Sequence, residues 1–552
     1  MHQLARRLLS SFLILLMVVP AATAHAGPRR PALVVLLMID QMRGDYPSLY
    51  GHQWTNGLHR LFRDGAWYQR ASYPYVNTVT CAGHATVSTG TLPSVHGMVM
   101  NTWWDRARSA VVACADDPTA IDLSYGQPVD TPGESAAALL VPTFADRLRL
   151  QTGGQSRVVS LSLKARAALT LGGQRPDVAT WVVDQGAWVT STALGRGLDP
   201  AVAKYVREHP VEHQFFQTWD RTLAPGQYLF STKAVGVRQD AWQPTFPHTV
   251  QTWDDWQASP LSDEYLVDMA LNVLDDVKLG APGHIDMLAI SFSALDLVGH
   301  IYGPDSHEVQ DILIRLDRTI ARLLDGLDRR LGRGQYTIAL SADHGLAPTP
   351  ERSAGIGIDA GRLQARTVTD AAQRTLASLL GNGRWVNRLL NGDLYLSDGA
   401  MDALETVPNG PATLRQALEA LPGVRAVFTR DQLTGYISEQ DTLLQAAANG
   451  YMAQRSGDVL LVFQPHWLVG GAGGASHGTP YRYDAHVPIV LYGQGVAAGV
   501  YQRQVTPLDI APTLATLTGV SLPQAQGHPL KEALRKAGPA ARPLPLPRTA
   551  SK

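Results

Sequence analysis

The chain has 552 residues, of which 45% are hydrophobic and 17% charged, and its formal net charge at pH 7 is −1. This composition is that of a folded globular protein, and the balanced charge gives no sign of a nucleic-acid or membrane-surface partner. Because the chain is longer than one hydrophobic core usually grows, we expect either one large domain with insertions or two domains.

The first 26 residues predict a signal peptide. Arg6 and Arg7 precede an apolar run at residues 8–19, and cleavage after either Ala24 or Ala26 fits a small-x-small site. A retained membrane anchor is the alternative, but the run is shorter than the roughly 20 residues that a spanning helix needs. We therefore expect an exported protein, periplasmic or secreted, with no stable membrane association after removal of the signal.

Apolar runs alternate with helical patterns along residues 27–535. This alternation predicts an α/β catalytic domain with a mostly parallel central sheet flanked by helices. Three of the runs are each followed by a carboxylate: Leu33–Ile39 by Asp40, residues 287–290 by Asp296, and residues 337–340 by Asp343. Because ligand sites in open α/β sheets lie outside the carboxyl ends of the strands, we expect the three carboxylates to meet there. A helix N-cap is the alternative for the first of them.

A hydroxyl-rich turn at residues 77–84 precedes a helical-looking stretch. Thr80 in this turn would meet the free N–H groups and the positive dipole end of that helix, where a phosphoryl group would also bind. A metal ion bound to the hydroxyl would lower its pKa and make it a nucleophile. Thr78 and Cys81 are competing nucleophiles in the same turn, and a Thr80 that only caps the helix is the alternative.

The chain has two cysteines, Cys81 and Cys114. In an oxidising compartment they would form one disulfide, which we predict; two unpaired thiols are the alternative. The disulfide would tie the hydroxyl-rich turn to the segment after Trp104, and it would weaken Cys81 as a candidate nucleophile.

Two helices have clear boundaries in the sequence. An apolar stripe predicts a long helix over residues 306–331, with Asp305 and Glu308 at the spacing of an N-cap and an N3 residue. A second helix is predicted to start at Thr506, with Pro507 at N1, and to cover the sheet near the end of the fold.

Two long stretches, at about residues 170–265 and 350–460, are predicted to be insertions. Both insertions leave the predicted sheet near the edge that carries the carboxylates, which favours a cap over the site. Residues 536–552 are rich in Pro, Ala and Arg and predict a disordered tail.

Three histidines have spacings that suit metal ligands. Asp296 and His300 are four residues apart and can face one cation from a single helical turn, whereas Asp343 and His344 are adjacent at a strand end. His477 lies in a glycine-rich loop, where metal binding would tie it down. Capping carboxylates and solvated histidines are the alternatives. With the carboxylate after the first strand, these six N/O ligands suit two borderline cations such as zinc. They indicate a hydrolase of phosphate or sulfate esters.

Lys164 and Arg166 follow a predicted strand at residues 158–163 and share one side of it by the two-residue period. Two solvated charges are the alternative. In this order along the chain the motifs together resemble the alkaline phosphatase superfamily, in particular single-chain phosphatases with a threonine nucleophile that are related to nucleotide pyrophosphatase/phosphodiesterases. The motifs are Met-Ile-Asp40-Gln, Asn-Thr-Val-Thr80-Cys-Ala-Gly-His, Ser-Leu-Lys164-Ala-Arg166, Asp296-x-x-x-His300, Ala-Asp343-His344-Gly and Ser-His477-Gly.

The resemblance extends over residues 33–527 and implies an alkaline-phosphatase-like fold with two zinc ions. One ion would be held by Asp296, His300 and His477. The other would be held by Asp40, Asp343, His344 and the Thr80 oxygen. Asn101 would contact a phosphoryl oxygen, and Lys164 and Arg166 would take the place of a third metal ion. Sulfatases share the fold but use a Cys-x-Pro-x-Arg pattern, which is absent around Cys81.

The resemblance therefore predicts an exported, zinc-dependent alkaline phosphatase that hydrolyses phosphate monoesters through a phosphothreonine intermediate. A phosphodiesterase or nucleotide pyrophosphatase is the alternative among enzymes. A metal- or phosphate-binding protein without turnover is the alternative from another class. The expected partners are small-molecule phosphate esters, without nucleic acid, and we expect a monomer.

Overall fold

The computed structural model describes residues 30–183, 186–231 and 233–535. The predicted signal peptide at residues 1–26 and the predicted disordered tail at residues 536–552 lie outside the described residues. None of the helices in the described ranges is long and apolar enough to cross a membrane.

The strands of the described chain, in order, are as follows: β1 Leu33–Ile39, β2 Ala66–Ser72, β3 Thr102–Asp105, β4 Ala110–Ala113, β5 Asp116–Ser124, β6 Pro132–Glu134, β7 Val158–Ser162, β8 Val178–Val183, β9 Ala187–Ser191, β10 Thr218–Trp219, β11 His248–Thr249, β12 Asp286–Phe292, β13 Tyr336–Ser341, β14 Gly361–Leu363, β15 Val386–Leu390, β16 Asp393–Leu396, β17 Val424–Thr429, β18 Val459–Phe463, β19 Trp467–Val469, β20 His486–Gly493 and β21 Gly499–Tyr501.

The α-helices of the same ranges are α1 Tyr46–Tyr50, α2 Gly57–Asp64, α3 Thr80–Thr89, α4 Pro93–His96, α5 Phe144–Gln151, α6 Ala165–Gly172, α7 Pro200–Glu208, α8 Trp253–Gln257, α9 Pro260–Val277, α10 Ala294–Tyr302, α11 His307–Leu331, α12 Pro350–Gly355, α13 Ala365–Leu380, α14 Ala400–Glu405, α15 Gly410–Glu419, α16 Arg430–Thr434, α17 Thr442–Asn449, α18 Arg482–Ala485 and α19 Ile510–Thr518.

The largest sheet runs through the middle of the fold in the order β21-β2-β20-β13-β1-β12-β7-β8-β9-β5-β6. Its five central strands, β13 to β8, are parallel, whereas β20 and β2 on one side and β9, β5 and β6 on the other pair antiparallel. The predicted α/β fold is confirmed. The parallel pairing is confined largely to the centre of the sheet, and β9 and β6 each pair antiparallel with the strand that precedes them in the chain.

The central strands are buried on both faces. Side chains of β1 alternate between two hydrophobic cores, with Leu33, Val35 and Leu37 on one face and Val34 and Leu36 on the other. Helix α11 packs on the first face and α19 on the second. This double burial explains why the strand appears in the sequence as an unbroken apolar run.

The two predicted helices are present, with one correction. The first begins at His307, and its N-cap is Ser306, whose hydroxyl accepts a hydrogen bond from the Val309 N–H at 3.2 Å. The prediction of Asp305 as N-cap is therefore wrong by one residue. In the second, Thr506 is the N-cap of a 3₁₀ turn that leads into α19.

Strands β15 to β18 form a separate four-stranded sheet, in the order β15-β16-β18-β17. Leu394, Val427 and Leu461 from this sheet pack with Val368 of α13 and Leu414 of α15 in a core of their own. In contrast, β8 and β9, which lie within residues 170–265, belong to the main sheet. The division into one domain with two cap insertions stays a prediction.

Candidate active site

Three neighbouring parallel strands bring the predicted carboxylates together. Asp40 directly follows β1, Asp343 lies two residues beyond β13, and Asp296 is in the first turn of α10 after β12. All three side chains are buried. The strand order β13-β1-β12 thus places residues that are about 250 and 300 positions apart in the chain at one edge of the sheet, as the strand-end pattern predicts.

Three imidazoles face these carboxylates. His300 lies one helical turn after Asp296, with its Nε2 3.2 Å from Asp296 Oδ1. The rings of His344 and His477 stack with centroids 3.4 Å apart. Each ring is oriented through Nδ1 by a backbone carbonyl, at 2.9 Å for His300, 2.9 Å for His344 and 2.8 Å for His477. A donor Nδ1–H leaves Nε2 as the free lone pair, which is the arrangement of a metal-binding histidine.

Two groups of these residues could hold a cation. In each group the ligand atoms lie within 4.8 Å of one another; the groups are Asp296, His344 and His477, and Asp40, Asp343 and His344. His344 belongs to both groups, so the two sites adjoin. In the assignment that the resemblance implies, His344 belongs to the second group and His300 to the first, and His300 contacts Asp296 of the first group.

The donor atoms of the site fit divalent cations. Among the described residues, Asp40 Oδ1, Asp343 Oδ2 and His344 Nε2 are buried without a hydrogen-bond partner. Burial and the neighbouring Asp296 and Asp343 carboxylates hold the pKa of Asp40 well above its ordinary value. Burying unpaired carboxylates costs several kcal/mol unless a charge compensates them, and a mixed carboxylate and imidazole set is typical of zinc sites.

Lys164 supplies one such charge. The residue follows β7, the strand beside β12, and its Nζ lies 2.5 Å from Asp40 Oδ2 and also contacts Asp296 Oδ2. Burial alone would lower the pKa of Lys164, but the two carboxylates hold it above its ordinary value, so the ammonium is charged. Arg166 lies in the first turn of α6, and its Nε is buried without a hydrogen-bond partner in the described structure.

Thr80 is the first residue of α3 and is buried. The helix start lies against the sheet edge that carries the three carboxylates, because a Cβ on Gly83 would come within 2.4–2.6 Å of Asp343. Asn101 accepts a hydrogen bond from the Cys81 N–H at 2.8 Å through its Oδ1, which leaves its NH₂ group for another acceptor. The structure therefore brings Thr80 and Asn101 together at a helix N-terminus beside the carboxylates.

The two competing nucleophiles are engaged elsewhere. The Thr78 hydroxyl donates to the carbonyl oxygen of Thr479 at 2.9 Å. Cys81 forms a disulfide with Cys114, which confirms the predicted pairing. These contacts leave Thr80 as the strongest candidate of the three.

Two buried residues that the sequence analysis does not assign to the site support it from behind. His84 lies one turn after Thr80. A hydrogen bond of 2.8 Å joins its Nε2 to the Ser291 hydroxyl, and its Nδ1 lies 3.2 Å from Asp343 Oδ2. Its i+4 spacing from Thr80 was a usable signal.

Gln41 is the second supporting residue, and it links the two ligand groups. Its backbone N–H donates to Asp343 Oδ1 at 3.1 Å, and its side-chain Nε2 donates to Asp296 Oδ1 at 2.7 Å. The residue has the left-handed φ of 71°, and a Cβ on Gly299 would lie 1.7 Å from its Oε1. No pattern of residues in the sequence predicts this left-handed conformation of Gln41.

Comparison with known proteins agrees with this site. The family model of type I phosphodiesterase / nucleotide pyrophosphatase matches residues 34–482. A protein of Myroides odoratus named calcium-transporting ATPase is 31% identical, covering 94% of this chain and 97% of its own length. Alkaline phosphatase PhoV of Synechococcus elongatus is 30% identical, covering 90% and 91%. The crystal structure of wild-type alkaline phosphatase PafA superposes with a TM-score of 0.85 at 28% identity, covering 92% and 99%.

The fold, the ligand set and these relatives define a phosphoric ester hydrolase with the alkaline-phosphatase-like fold. Within that class, the chain belongs to the type I phosphodiesterase / nucleotide pyrophosphatase family. The superfamily resemblance noted from the motifs is thereby confirmed, and the relatives imply the use of divalent metal ions.

Proposed function

We propose that the protein is an exported, zinc-dependent alkaline phosphatase that hydrolyses phosphate monoesters. The observation that carries the proposal is the buried set of carboxylates and imidazoles, with unpaired donor atoms, packed against the helix start that carries Thr80. The alkaline phosphatases among the relatives support the monoesterase assignment. The disulfide supports export, because such bonds persist in oxidising compartments.

The residues divide into two metal-ligand groups. Asp296, His300 and His477 would hold one ion, and Asp40, Asp343, His344 and the Thr80 oxygen would hold the other. When bound, two zinc ions would lower the pKa of the Thr80 hydroxyl and neutralise charge on the phosphoryl and leaving oxygens.

Thr80 Oγ attacks phosphorus in line. The bond from phosphorus to the ester oxygen breaks, the alcohol leaves, and the phosphoryl group is carried on Thr80 as phosphothreonine. Water then attacks phosphorus from the side that the alcohol has left, which releases inorganic phosphate and restores the hydroxyl. The N-terminal N–H groups of α3 and the NH₂ of Asn101 stabilise the non-bridging oxygens.

The guanidinium of Arg166 and the ammonium of Lys164 complete the phosphoryl site. A monoester near neutral pH carries about two negative charges, whereas a diester carries one. Two cations therefore stabilise the monoester more, and the planar guanidinium can engage two oxygens at once. Cations bound to Asp40 and Asp296 would neutralise those carboxylates and leave the Lys164 ammonium free to contact the substrate.

The family match favours phosphodiesterase or nucleotide pyrophosphatase activity as the second candidate. The two candidates differ in kcat/KM for an aryl phosphate and for the matching methyl aryl diester, measured on wild type and on the Lys164→Ala/Arg166→Ala variant. A phosphomonoesterase prefers the monoester, and the double variant loses that activity far more than the diesterase activity. Preference of the wild type for the diester, or equal losses in the variant, would refute the monoesterase assignment.

The same assay tests metal dependence. We expect about two zinc ions per chain, inactivation by a chelator, and recovery on adding zinc. Full activity of chelated protein would contradict the proposal, and zinc binding without turnover of either ester would instead favour a binding protein.

A further inference from the structure

A cleft separates the four-stranded sheet from the main body of the fold beside the candidate active site. Asn77 and His477 lie on the wall formed by the main body. Asn391 and Phe463 lie on the wall formed by the four-stranded sheet, and Trp467 of β19 also lines the cleft. One wall thus carries a metal ligand and a residue three positions before Thr80, whereas the opposite wall comes from a remote part of the chain.

Asn391 is at the tip of the hairpin that joins β15 to β16. Its φ of 50° is left-handed, and Gly392 follows it, which is the sequence of a tight hairpin turn. The side chain is exposed, and a Cβ on Gly478 would lie 3.6 Å from its Nδ2. The same Nδ2 is 3.9 Å from Met100 Sδ. The Asn391 amide therefore lies beside the immediate neighbours of His477 and Asn101.

Buried hydrogen bonds fix the hairpin against the nucleophile turn. Asp393, two residues after the tip, accepts from Asn77 Nδ2 at 3.0 Å through Oδ2 and from the Gly457 N–H at 2.7 Å through Oδ1. Asp393 is only 1% exposed. The tip is thus held in register with the turn that carries Thr80, as a side chain that selects a substrate must be.

The side of the site on which Asn391 lies determines what it can contact. In the proposed function Thr80 shares one ligand group, so in an in-line reaction the departing oxygen would lie toward the other group, which contains His477. The alcohol part of the ester therefore extends toward the cleft. Among the described residues, the Asn391 Nδ2 has one side-chain hydrogen bond, to the Met100 thioether, which is a weak acceptor, so the amide is available as both donor and acceptor.

We propose that Asn391 is a specificity-determining residue that hydrogen-bonds the alcohol part of the substrate. It favours esters of hydroxyl-bearing alcohols, such as polyol or sugar phosphates, over aryl phosphates. This inference rests on the proposed phosphomonoesterase function.

The test is Asn391→Gly, because glycine keeps the left-handed turn and removes the side chain with its amide. We expect kcat/KM for glycerol phosphate to fall about five- to tenfold, the size of one neutral hydrogen bond, while kcat/KM for an aryl phosphate stays within about twofold. Asn409→Gly is the matched control: Asn409 is exposed, has a φ of 59°, and begins α15, which packs on β17 at the far edge of the same sheet.

Unchanged aryl phosphatase activity in Asn391→Gly shows that the variant is folded and that its phosphoryl site is intact. An equal change for both esters, or no change for glycerol phosphate, overturns the role of Asn391 and leaves the phosphatase assignment standing. A wild type that hydrolyses neither monoester overturns the proposed function, and this inference with it.

Discussion

Lys164 provides the sharpest test of how charge is arranged in this site. Its buried ammonium contacts Asp40 and Asp296, one carboxylate from each ligand group. Lys164→Met keeps most of the side-chain volume and removes the charge. In protein stripped of metal, the two carboxylates then lose their partner, and breaking a buried ion pair in this way costs about 3–5 kcal/mol of unfolding free energy.

In zinc-loaded protein the same carboxylates are neutralised by the cations, so we expect the substitution to cost less than about 1 kcal/mol by the same reasoning. By linkage, the difference equals a gain in total zinc binding free energy of roughly 2–4 kcal/mol in the variant. Urea unfolding followed by tryptophan fluorescence, with chelator and with excess zinc, measures the two losses. A competition titration with a chromogenic chelator measures the gain in affinity independently.

Arg166→Met is the matched control. Arg166 lies two residues away and forms no salt bridge in the part of the chain that the structure describes, so its loss should be similar in both metal states. Equal losses for Lys164→Met with and without zinc would refute the reasoning, because they would mean that the ammonium and the cations do not compensate the same carboxylates.

The remaining predictions concern the nucleophile, the disulfide and the support of the metal ligands. Thr80→Ala should abolish turnover and retain zinc, whereas an active Thr80→Ala with an inactive Thr78→Ala would identify the other hydroxyl as nucleophile. The Cys81–Cys114 disulfide closes a loop with a sequence separation of 33 residues, so replacing both cysteines with alanine should lower the unfolding free energy by about 3–4 kcal/mol in the chain-entropy account; free thiols in the unreduced, unfolded protein would contradict the pairing. Gln41→Gly should weaken zinc binding about 10- to 100-fold, as loss of a residue that orients a ligand usually does, and unchanged affinity in a chelator competition would remove Gln41 from this role.

The parts of the fold that the sequence predicts well are those with an unambiguous hydrophobic pattern. Residues Leu33–Ile39 form β1 with the predicted boundaries, because a strand buried on both faces requires an unbroken apolar run. The long amphipathic helix α11 is likewise found where the apolar stripe in the sequence predicts it. Its N-cap was misplaced by one residue because Asp305 and Ser306 are both good caps, and only the tertiary path of the chain decides between them.

The candidate site likewise contains residues whose place the sequence predicts and residues whose place it does not. Asp40, Asp296 and Asp343 were predictable because each follows a buried strand, and the rules for α/β sheets bring such strand ends to one edge. The contact of Lys164 with two of these carboxylates was not predictable, since period 2 places the residue on a side of its strand but does not say which groups lie opposite. The role of Gln41 was not predictable either, because it depends on the left-handed backbone conformation of this residue.

The groups that we assign to the chemistry and the group that we assign to the choice of substrate come from different parts of the chain. The groups that we propose to act on phosphorus lie at the ends of adjacent strands of the main sheet and on the helix that begins at Thr80. The amide that we propose to bind the alcohol lies on a hairpin more than 300 residues later in the chain, and the buried hydrogen bond between Asp393 and Asn77 helps to hold that hairpin beside the site. Asp393→Asn should therefore leave zinc binding unchanged and reduce the preference for polyol phosphate over aryl phosphate, because it weakens the contact that positions the hairpin while leaving every ligand in place. If this variant instead lost both activities equally, with zinc retained, the hairpin would serve to position the nucleophile turn and not to select the alcohol.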